Sequence, residues 1–420
     1  MLTSADFETR RQFVAEKLLD NSVLILYAGV AKKCSADENF PFVVNRNFFY
    51  LTNIQQEGSI LVITKKLNEV KSYLFISEFN EVKEKWTGIR LTSAQAEKLS
   101  GIENIMYLNT FENHIDMLLD KNNKSFGEFN NVYLDLEEEN KIGPKTTTLE
   151  VKKELNSKYK KLKFFDIYKT LCELRCVKTS NEVEEHRQAI SKTQIGLNKI
   201  LNALKPGLYE YQLSSLFYYA IQDFDHSELA FSTIVAGGKN ATILHYPNAS
   251  EKLNDGDLVL LDLGARSKNY CADISRTYPV NGKFSDKQKQ IYQIVLDCNK
   301  MIARNAKPGL TLVQLQELAK NFLAKKCVEA GLISNVDEIT KVYYHSVSHH
   351  IGLDTHEPWD RNEPLVPGNI ISDEPGLYFK EFGIGVRIED DLLITEDGCY
   401  VLSNGIPKEI EDIEKIMARR

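Results

Sequence analysis

The stretches Asp257-Leu-Val-Leu-Leu-Asp-Leu-Gly264 and Asn369-Ile-Ile-Ser-Asp-Glu-Pro-Gly376 each run through apolar residues to an acid. These acids are Asp262 and Glu374, and a second acid follows each: Asp273 comes eleven residues after the first, and Glu389 fifteen after the second. Since both separations are odd, a β-hairpin with an even loop would place Asp262 opposite Asp273 and Glu374 opposite Glu389. The two stretches therefore predict two hairpins with paired acids.

Acids paired in this way need a counter-charge. Like charges directly opposite one another destabilise a sheet, and carboxylates on apolar strands carry a large desolvation cost. Two divalent cations would bring the charge of four such carboxylates close to zero. The pattern predicts a dinuclear metal centre.

The C-terminal part of the chain also repeats itself. Lys205-Pro-Gly-Leu recurs as Lys307-Pro-Gly-Leu, and a Gln-Leu pair follows each of them at the same distance. Further along, a histidine, a glycine and an acid occur twice in the same order: His245, Gly256 and Asp262, then His349, Gly368 and Glu374. Such self-similarity predicts that the last 240 or so residues form two related halves that face each other, with the acids of both at a shared centre.

Composition limits the function without deciding it. A chain of 420 residues has room for two or three domains of about 150 residues. A net charge of -7 gives no indication of a nucleic-acid partner. The seven cysteines lack a Cys-x-x-Cys spacing, no cationic-then-apolar signal opens the chain, and the apolar run at 23–30 is too short for a bilayer. We therefore expect a cytoplasmic protein with no membrane partner.

Two α/β domains are predicted, over residues 1–170 and 175–420. At the start of the second, Thr179 with Glu182 fits a capping box that opens a long helix, and Thr311 with Gln314 repeats it in the other half. In the first domain, alternating β-branched and aromatic runs predict strands and periodic segments predict helices. The predicted strands are 22–27, 47–51, 59–64, 72–76 and 132–136, and the predicted helices are 7–19, 93–100 and 147–159.

Histidines accumulate in the same region as the four acids. The chain has eight, and five lie there. A single histidine is usually a core or surface residue, but five beside four carboxylates indicate that at least one is a ligand. A two-metal hydrolase also needs free imidazoles to donate to an oxyanion or to shuttle protons. The five candidates are His245, His345, His349, His350 and His356.

These motifs resemble those of the pita-bread metallopeptidases. Asp262, Asp273, His349, Glu374 and Glu389 stand in the order and context of that family's five metal ligands. The segment Ser348-His-His-Ile-Gly-Leu-Asp-Thr-His356 resembles the corresponding element of aminopeptidase P, as do Glu374-Pro-Gly-Leu-Tyr378 and Arg387-Ile-Glu-Asp390. Elements of the first domain resemble the N-terminal domain of the same subfamily: Arg10-Arg-Gln, Ser35-Ala-Asp37, 45–51 and Trp86-Thr-Gly.

The resemblance implies an α/β (α+β) fold with an N-terminal domain and a pita-bread catalytic domain of two pseudo-symmetric halves. It implies that Asp262 binds one ion, that Asp273 and Glu389 bridge both, and that His349 and Glu374 bind the other. A hydroxide that bridges the metals would attack the scissile carbonyl, and Glu374 would take and pass the proton. The activity would be release of the N-terminal residue from peptides with proline in second position.

Further roles follow from the same resemblance. His245 and His356 would flank the substrate and stabilise the tetrahedral intermediate, and His345 would support them in the inner pocket. Arg387 and Tyr378 would hold the carboxylates in place beside the substrate. Asp37 and Trp86 would reach into a neighbouring subunit's active site, which implies a homodimer or homotetramer whose assembly completes the site.

Three residues depart from the family pattern or lack motif support. His350 follows the ligand where relatives often have tryptophan or glycine, and we expect it to line the pocket. Asp373 adds a charge, without an evident partner, where relatives often have a small or apolar residue. Trp359 has no motif support, and we expect it in the core.

Several alternatives stay open at this point. Prolidase, which cleaves Xaa-Pro dipeptides, shares the five ligands, and pocket closure decides between the two enzymes. A non-catalytic pita-bread binding protein or a metal-free creatinase-like enzyme would have lost ligands that are present here. One histidine against four carboxylates suits manganese, with cobalt, iron or zinc as alternatives.

Overall fold

The computed structural model describes residues 2–67, 69–120, 129–137, 147–159, 161–225 and 227–419. The chain divides into two compact units, with the division between Leu174 and Arg175. Among the helices of the described residues, none is long and apolar enough to cross a membrane.

The N-terminal unit is built on a mixed six-stranded sheet. The strands of this unit are β1 Ser22–Tyr27, β2 Lys33–Ser35, β3 Glu38–Asn39, β4 Ile60–Lys66, β5 Glu69–Ile76, β6 Asn104–Tyr107, β7 Asn131–Leu134 and β8 Lys163–Asp166. In the sheet their order is β6-β5-β4-β1-β7-β8. The central strands β1, β4 and β5 pair antiparallel, and the outer strands β6, β7 and β8 pair parallel to their neighbours. The helices are α1 Ser4–Lys17, α2 Arg46–Thr52, α3 Glu81–Thr87, α4 Ser93–Ser100, α5 Phe111–Leu119 and α6 Thr147–Lys158, and α7 Tyr168–Cys176 continues past the division between the units.

One predicted strand in this unit is wrong. Residues 47–51 belong to helix α2, whose N-cap Asn45 accepts a hydrogen bond from the Phe48 amide at 2.8 Å. Asn53 ends the helix in the left-handed conformation, with φ at 59°. Every residue of α2 is buried, and a short run that is buried on all sides carries no periodicity that separates a helix from a strand.

The C-terminal unit carries small sheets covered by long helices. Its helices are α8 Ser180–Ala203, α9 Glu210–Asp225, α10 Asp286–Asn305, α11 Leu312–Glu329 and α12 Ile410–Met417. Its strands are β9 Ile234–Gly237, β10 Leu258–Leu263, β11 Arg266–Ser267, β12 Tyr270–Cys271, β13 Ile274–Pro279, β14 Ile370–Asp373, β15 Gly376–Phe379, β16 Ile384–Arg387, β17 Asp390–Ile394 and β18 Cys399–Val401.

The predicted capping boxes open the long helices. Thr179 caps α8 and Thr311 caps α11, each accepting a hydrogen bond from the amide three residues on. A third box, Ser285 with Gln288, opens α10. The helix pair α8 and α9 in the first half therefore has a counterpart in α10 and α11 in the second.

The two halves repeat one backbone arrangement at the turn between their helices. Gly207 donates to the Leu253 carbonyl at 2.8 Å, and Gly309 donates to the Leu365 carbonyl at 2.9 Å. Both glycines have positive φ, 95° and 87°, which other L-residues rarely adopt. Each leucine returns a bond to the residue after its glycine, at 2.8 and 2.7 Å. The sequence repeat is therefore a structural repeat.

The register of the first hairpin differs from the prediction. Asp262 of β10 lies opposite Ser275 of β13, and Asp273 is two residues away on the same face. The turn consists of Lys268 and Asn269, both with positive φ, so its centre lies one residue later than direct pairing of the acids would require. The two acids are diagonal neighbours, which still brings their side chains together.

The second hairpin keeps the predicted register. Asp373 pairs with Asp390 and Gly376 pairs with Arg387, and both pairs belong to a single register. That register places Glu374 opposite Glu389 in the gap between the two short ladders. The acids therefore stand just outside the strands, where their backbone groups are free to bond to other parts of the unit.

Candidate active site

The four acids come from strand ends of both halves. Asp262 is near the end of β10, Asp273 precedes β13, Glu374 follows β14, and Glu389 lies between β16 and β17. The Glu389 amide donates to the Ser275 carbonyl at 3.0 Å, which joins the two hairpins at this point. Residues more than a hundred positions apart in the chain thus meet at one buried face.

His349 is oriented toward the acids by its own backbone surroundings. Its amide donates to Ser372 Oγ at 2.9 Å, and its Nδ1 lies 3.1 Å from the His350 carbonyl oxygen. This leaves Nε2 facing the carboxylates, 3.4 Å from Asp273, 3.5 Å from Glu374 and 3.9 Å from Glu389. A nitrogen at nearly equal distances from three carboxylates is placed as a metal ligand would be.

The ligand atoms fall into overlapping groups. His349, Glu374 and Glu389 have ligand atoms within 4.8 Å of one another, and so do Asp262, Asp273 and Glu389. Asp273, His349 and His356 form a further group of this kind. Asp262 Oδ1 is buried and has no hydrogen-bond partner among the described residues. Two adjacent groups that share Glu389, with mostly oxygen donors and an unpartnered carboxylate oxygen, fit divalent cations.

Three of the four acids have pKa values above the usual carboxyl range. Burial, followed by repulsion from neighbouring acids, raises the pKa of Asp273 and of Glu389 well above the usual carboxyl range. Burial likewise raises the pKa of Glu374 to about 7, although His349 and Arg387 oppose the shift. Without cations, this cluster therefore retains protons at a pH where ordinary carboxyl groups have lost them.

Arg387 is the cationic side chain within this cluster. Its three nitrogens donate to Asp262 Oδ2 at 2.7 Å, to Ser275 Oγ at 2.8 Å and to Tyr378 Oη at 3.0 Å. Ser275 Oγ in turn donates to Glu389 Oε2 at 2.9 Å. A planar guanidinium can serve three acceptors at once, so this residue fixes acids of both halves in one arrangement.

Tyr378 continues the chain of hydrogen bonds to His345. Its hydroxyl lies 2.8 Å from His345 Nε2, and His345 Nδ1 lies 2.8 Å from the Ser346 carbonyl oxygen. Burial and Arg387 lower the pKa of His345 to about 3, so the ring is neutral. Nδ1 therefore donates to the carbonyl, and Nε2 accepts the tyrosine proton.

A pocket of about 470 Å³ opens over the acids. His356 lies on its wall with its ring 4.0 Å from that of His349, and burial, then His349, lowers the pKa of His356 to about 4. His245 lies on the same wall, next to Leu244. The five predicted ligands, both flanking histidines, His345 and Arg387 thus all line one pocket.

Comparison with known proteins identifies relatives of both parts of the chain. Residues 184–396 match the model of metallopeptidase family M24, and residues 7–126 match the aminopeptidase P N-terminal domain. The Xaa-Pro aminopeptidase of Haemophilus influenzae is 32% identical, over 99% of this chain and 98% of the relative.

Solved structures resemble the whole chain. A Bacillus anthracis protein assigned as an aminopeptidase P superposes with a TM-score of 0.97 at 42% identity, covering 100% of this chain and 99% of the other. Escherichia coli aminopeptidase P with the inhibitor Pro-Leu gives a TM-score of 0.90 at 28% identity and the same coverage.

The chain belongs to the aminopeptidase P group of metallopeptidase family M24. The predicted pita-bread fold and the predicted class, a metal-dependent aminopeptidase, are confirmed.

Two residues that depart from the family pattern occupy defined places. His350 is buried on the pocket wall, and its ring lies 5.0 Å from that of Trp359, which also lines the pocket. The expectation that Trp359 belongs to the core is therefore wrong. Asp373 points away from the pocket, and its Oδ2 accepts from the Asn299 amide group at 3.1 Å.

The predicted residues of the N-terminal unit do not belong to this set of lining residues. Asp37 is exposed between β2 and β3. Trp86, on helix α3, is 86% exposed. Their proposed function in a neighbouring active site remains a prediction of the family resemblance.

Sequence reasoning missed polar residues that support the ligands. Ser275 joins Arg387 to Glu389, and Asp391 Oδ2 accepts from the Asp273 amide at 3.4 Å. A signal was present, since Asp273, Ser275 and Thr277 alternate along a buried strand and so share one face. A polar side chain on every second residue of a buried strand indicates a site.

An ion pair behind Glu389 was also missed. Arg276 donates to Asp390 Oδ1 at 2.7 Å and to the Glu389 carbonyl at 2.5 Å, and both of its partners are buried. Burial works against ionisation of Asp390, but Arg276 and Lys408 hold its pKa below the usual range. The backbone that carries Glu389 is thus fixed from the side away from the pocket.

Metal binding should strengthen as pH rises. Cations must displace the protons that Asp273, Glu374 and Glu389 retain, so affinity should increase as pH rises from about 4 toward and above 7. In the metal-free protein the same raised pKa values contribute stability below about pH 4 that is lost as pH rises through them. The increase in Tm on adding Mn²⁺ should accordingly be larger at about pH 8 than at about pH 5. Equal increases at both pH values would contradict the assignment.

Proposed function

We propose that this chain releases the N-terminal residue from peptides with proline in second position, using two divalent cations. The observation that carries the proposal is the pair of ligand groups that share Glu389, one with His349 and Glu374 and the other with two aspartates. A relative named Xaa-Pro aminopeptidase matches over 99% of this chain. We assign catalysis to a domain of residues 175–420 and the aminopeptidase-P-type N-terminal domain to residues 1–170.

The donors favour manganese as the native ion. Asp262 would hold one cation, and His349 and Glu374 would hold the other. Asp273 and Glu389 would contact both cations. Oxygen donors outnumber nitrogen, as hard cations prefer, with cobalt, iron or zinc as alternatives. When bound, two such cations would supply Lewis acidity to the scissile carbonyl and would lower the pKa of bound water toward neutrality.

Glu374 is suited to move protons. Its carboxyl group lines the pocket and can accept a proton from water at the scissile carbonyl. It takes a proton from the attacking water and delivers it to the leaving proline nitrogen. His245 and His356 flank the substrate and donate to the carbonyl oxygen as negative charge develops there.

The polar chain from Arg387 through Tyr378 to His345 holds this arrangement rigid. His345 is neutral and gives its only ring proton to the Ser346 carbonyl, so it does not compete with Glu374 for the transferred proton. Its function is to keep the tyrosine, and through it Arg387, beside Asp262. His350 and Trp359 form the aromatic part of the wall that the substrate contacts.

Substrates of three or more residues are favoured over dipeptides. E. coli aminopeptidase P has been solved with the inhibitor Pro-Leu, which is what remains when the first residue leaves Xaa-Pro-Leu. This chain is similar to that structure over its full length, and so we assign it to aminopeptidase P rather than to prolidase.

Oligomerisation completes the site in this proposal. The Trp86 side chain on α3 is 86% exposed, which is unfavourable in a monomer. A large apolar side chain in water gains none of the free energy that its burial would contribute. A homodimer or homotetramer in which Trp86 and Asp37 face a neighbour's substrate would resolve this. We place the enzyme in the cytoplasm, with proline-containing peptides as its partners and neither nucleic acid nor membrane.

Replacing Glu374 by glutamine should separate its two functions. The amide keeps an oxygen for a cation but cannot accept a proton, so Glu374→Gln should retain more metal than Glu374→Ala. Its kcat should nevertheless fall by roughly 10² to 10⁴. Metal analysis and steady-state kinetics on Xaa-Pro-Yaa measure the two effects. A glutamine variant as active as the wild type would leave Glu374 as a ligand only.

Substrate length should distinguish aminopeptidase P from prolidase. With Mn²⁺ added, kcat/KM for Xaa-Pro-Yaa and longer peptides should exceed that for Xaa-Pro, because a longer peptide makes contacts beyond the proline that can favour the transition state. Xaa-Ala-Yaa serves as the control for the proline requirement. Faster cleavage of the dipeptide would assign the chain to prolidase, and no cleavage of either would refute the proposed function.

Trp86→Ala should weaken substrate binding without affecting metal. We expect a higher KM for Xaa-Pro-Yaa with unchanged metal content and Tm. Dilution of the wild-type oligomer to the monomer should likewise lower activity. Tyr107→Ala, a change at an exposed aromatic of the same unit, is the matched control and should have no effect. A fully active monomer would show that each site is complete within one chain.

A further inference from the structure

The loop that carries His349 and His356 has little regular structure of its own. Between the 3₁₀ turn at Val336–Lys341 and strand β14, the chain forms only isolated bridges. His349 is tied to Ser372, since its amide donates to Ser372 Oγ and its carbonyl accepts from the Ser372 amide at 2.8 Å. His356 lies seven residues further on and needs another anchor.

That anchor is a buried ion pair next to His356. Arg175, the first residue of the C-terminal unit, is 3% exposed and donates to both carboxylate oxygens of Glu357, from Nε at 3.3 Å and from Nη2 at 2.6 Å. Nη2 also contacts Asp354. Desolvation of such a pair offsets much of its electrostatic attraction, so the pair adds little to the free energy of unfolding. Its main effect is to fix the positions of the groups that it joins.

Glu357 in turn folds the loop back on itself. Its Oε1 accepts from the Leu353 amide at 2.8 Å, and its own amide donates to the His350 carbonyl at 2.9 Å. The carboxylate lies directly over Gly352, where an added Cβ would stand 2.0 Å from Oε1. The turn between the two histidines is thus wrapped around this one carboxylate.

The folded loop is also joined to the strands that hold the ligands. The Gly352 carbonyl accepts from the Cys271 amide at 2.8 Å, two residues before Asp273. The Ile351 amide donates to the Ile370 carbonyl at 2.9 Å, at the start of β14. A displacement of Glu357 would therefore move His356 relative to the acids of both halves.

We propose that Arg175 is a positioning residue for catalysis, and that it acts by holding Glu357 so that the adjacent His356 faces the substrate. The inference rests on the proposed function of His356 at the scissile carbonyl. Arg175 is not itself a lining residue and contacts the pocket through Glu357, which lines it.

Lysine should not replace this arginine. An ammonium group offers one nitrogen where the guanidinium supplies two, set in a plane that matches a carboxylate. Arg175→Lys keeps the charge, so Glu357 is not left unpaired, but it loses the fixed geometry. Misplacement of a substrate-side group by about 1 Å can lower turnover by roughly a hundredfold.

The test combines kinetics with backbone exchange in the full chain. For Arg175→Lys, kcat on Xaa-Pro-Yaa should fall roughly a hundredfold, while metal content stays at the wild-type level because His349 has its own ties to Ser372. Backbone amides of residues 350–357 should exchange with deuterium faster, and those of β10 should not. In a His356→Ala background the same change should cost less than about threefold, since its effect passes through that ring.

Controls keep the outcomes distinct. Lys192→Met removes a buried cation of the same unit, paired with Asp225 at 2.8 Å, and should change neither loop exchange nor kcat. If Arg175→Lys does not fold, Glu357→Gln replaces it, because the glutamine keeps the acceptor for the Leu353 amide. We expect the same loss of kcat and the same faster loop exchange, both smaller in magnitude. Equal losses with and without His356, or loop exchange as in the wild type, would overturn the proposal. A wild-type enzyme inactive on Xaa-Pro-Yaa would refute the proposed function, whereas loop exchange would still test the anchor.

Discussion

Repulsion among buried carboxylates is the constraint on which the rest of this structure depends. Asp262, Asp273 and Glu389 are buried and have ligand atoms within 4.8 Å of one another. Arg387 balances only part of their charge. Protons, or divalent cations, must supply the remainder, and the raised pKa values express that requirement in the absence of metal. Cations that bind this cluster at neutral pH therefore stabilise the folded chain, so metal binding and folding are linked.

The surrounding structure holds the acids in place against that repulsion. On the pocket side, Arg387 donates hydrogen bonds to Asp262 and Ser275. On the side away from the pocket, Arg276 donates to the Glu389 carbonyl. The loop between the histidines is wrapped around Glu357 and secured by Arg175. These groups are buried, and they are ionic or strongly hydrogen-bonded. Their burial costs desolvation energy, but only one arrangement satisfies all of them.

Much of the site could be predicted because its residues follow from local rules. Apolar runs that end in acids gave the strands β10 and β14, capping boxes gave the helix starts, and the repeated Lys-Pro-Gly-Leu gave the two halves. Turn geometry decided what these rules leave open, since Lys268 and Asn269 move the hairpin centre and set Asp262 opposite Ser275. Helix α2 was misassigned because tertiary burial on all sides removes the periodicity on which an assignment depends. Contacts such as Arg175 with Glu357 join residues 182 positions apart, and no local pattern announces them.

The division of the ligands between the two halves has a consequence for biosynthesis. Asp262 and Asp273 belong to the first half, whereas His349, Glu374 and Glu389 belong to the second. A nascent chain that has emerged only as far as the first half can fold its apolar strands but holds two ligands. It gains a complete centre only when Glu389 has been translated and packed against Ser275. A translation product that ends before Glu389 therefore lacks a ligand that both groups share.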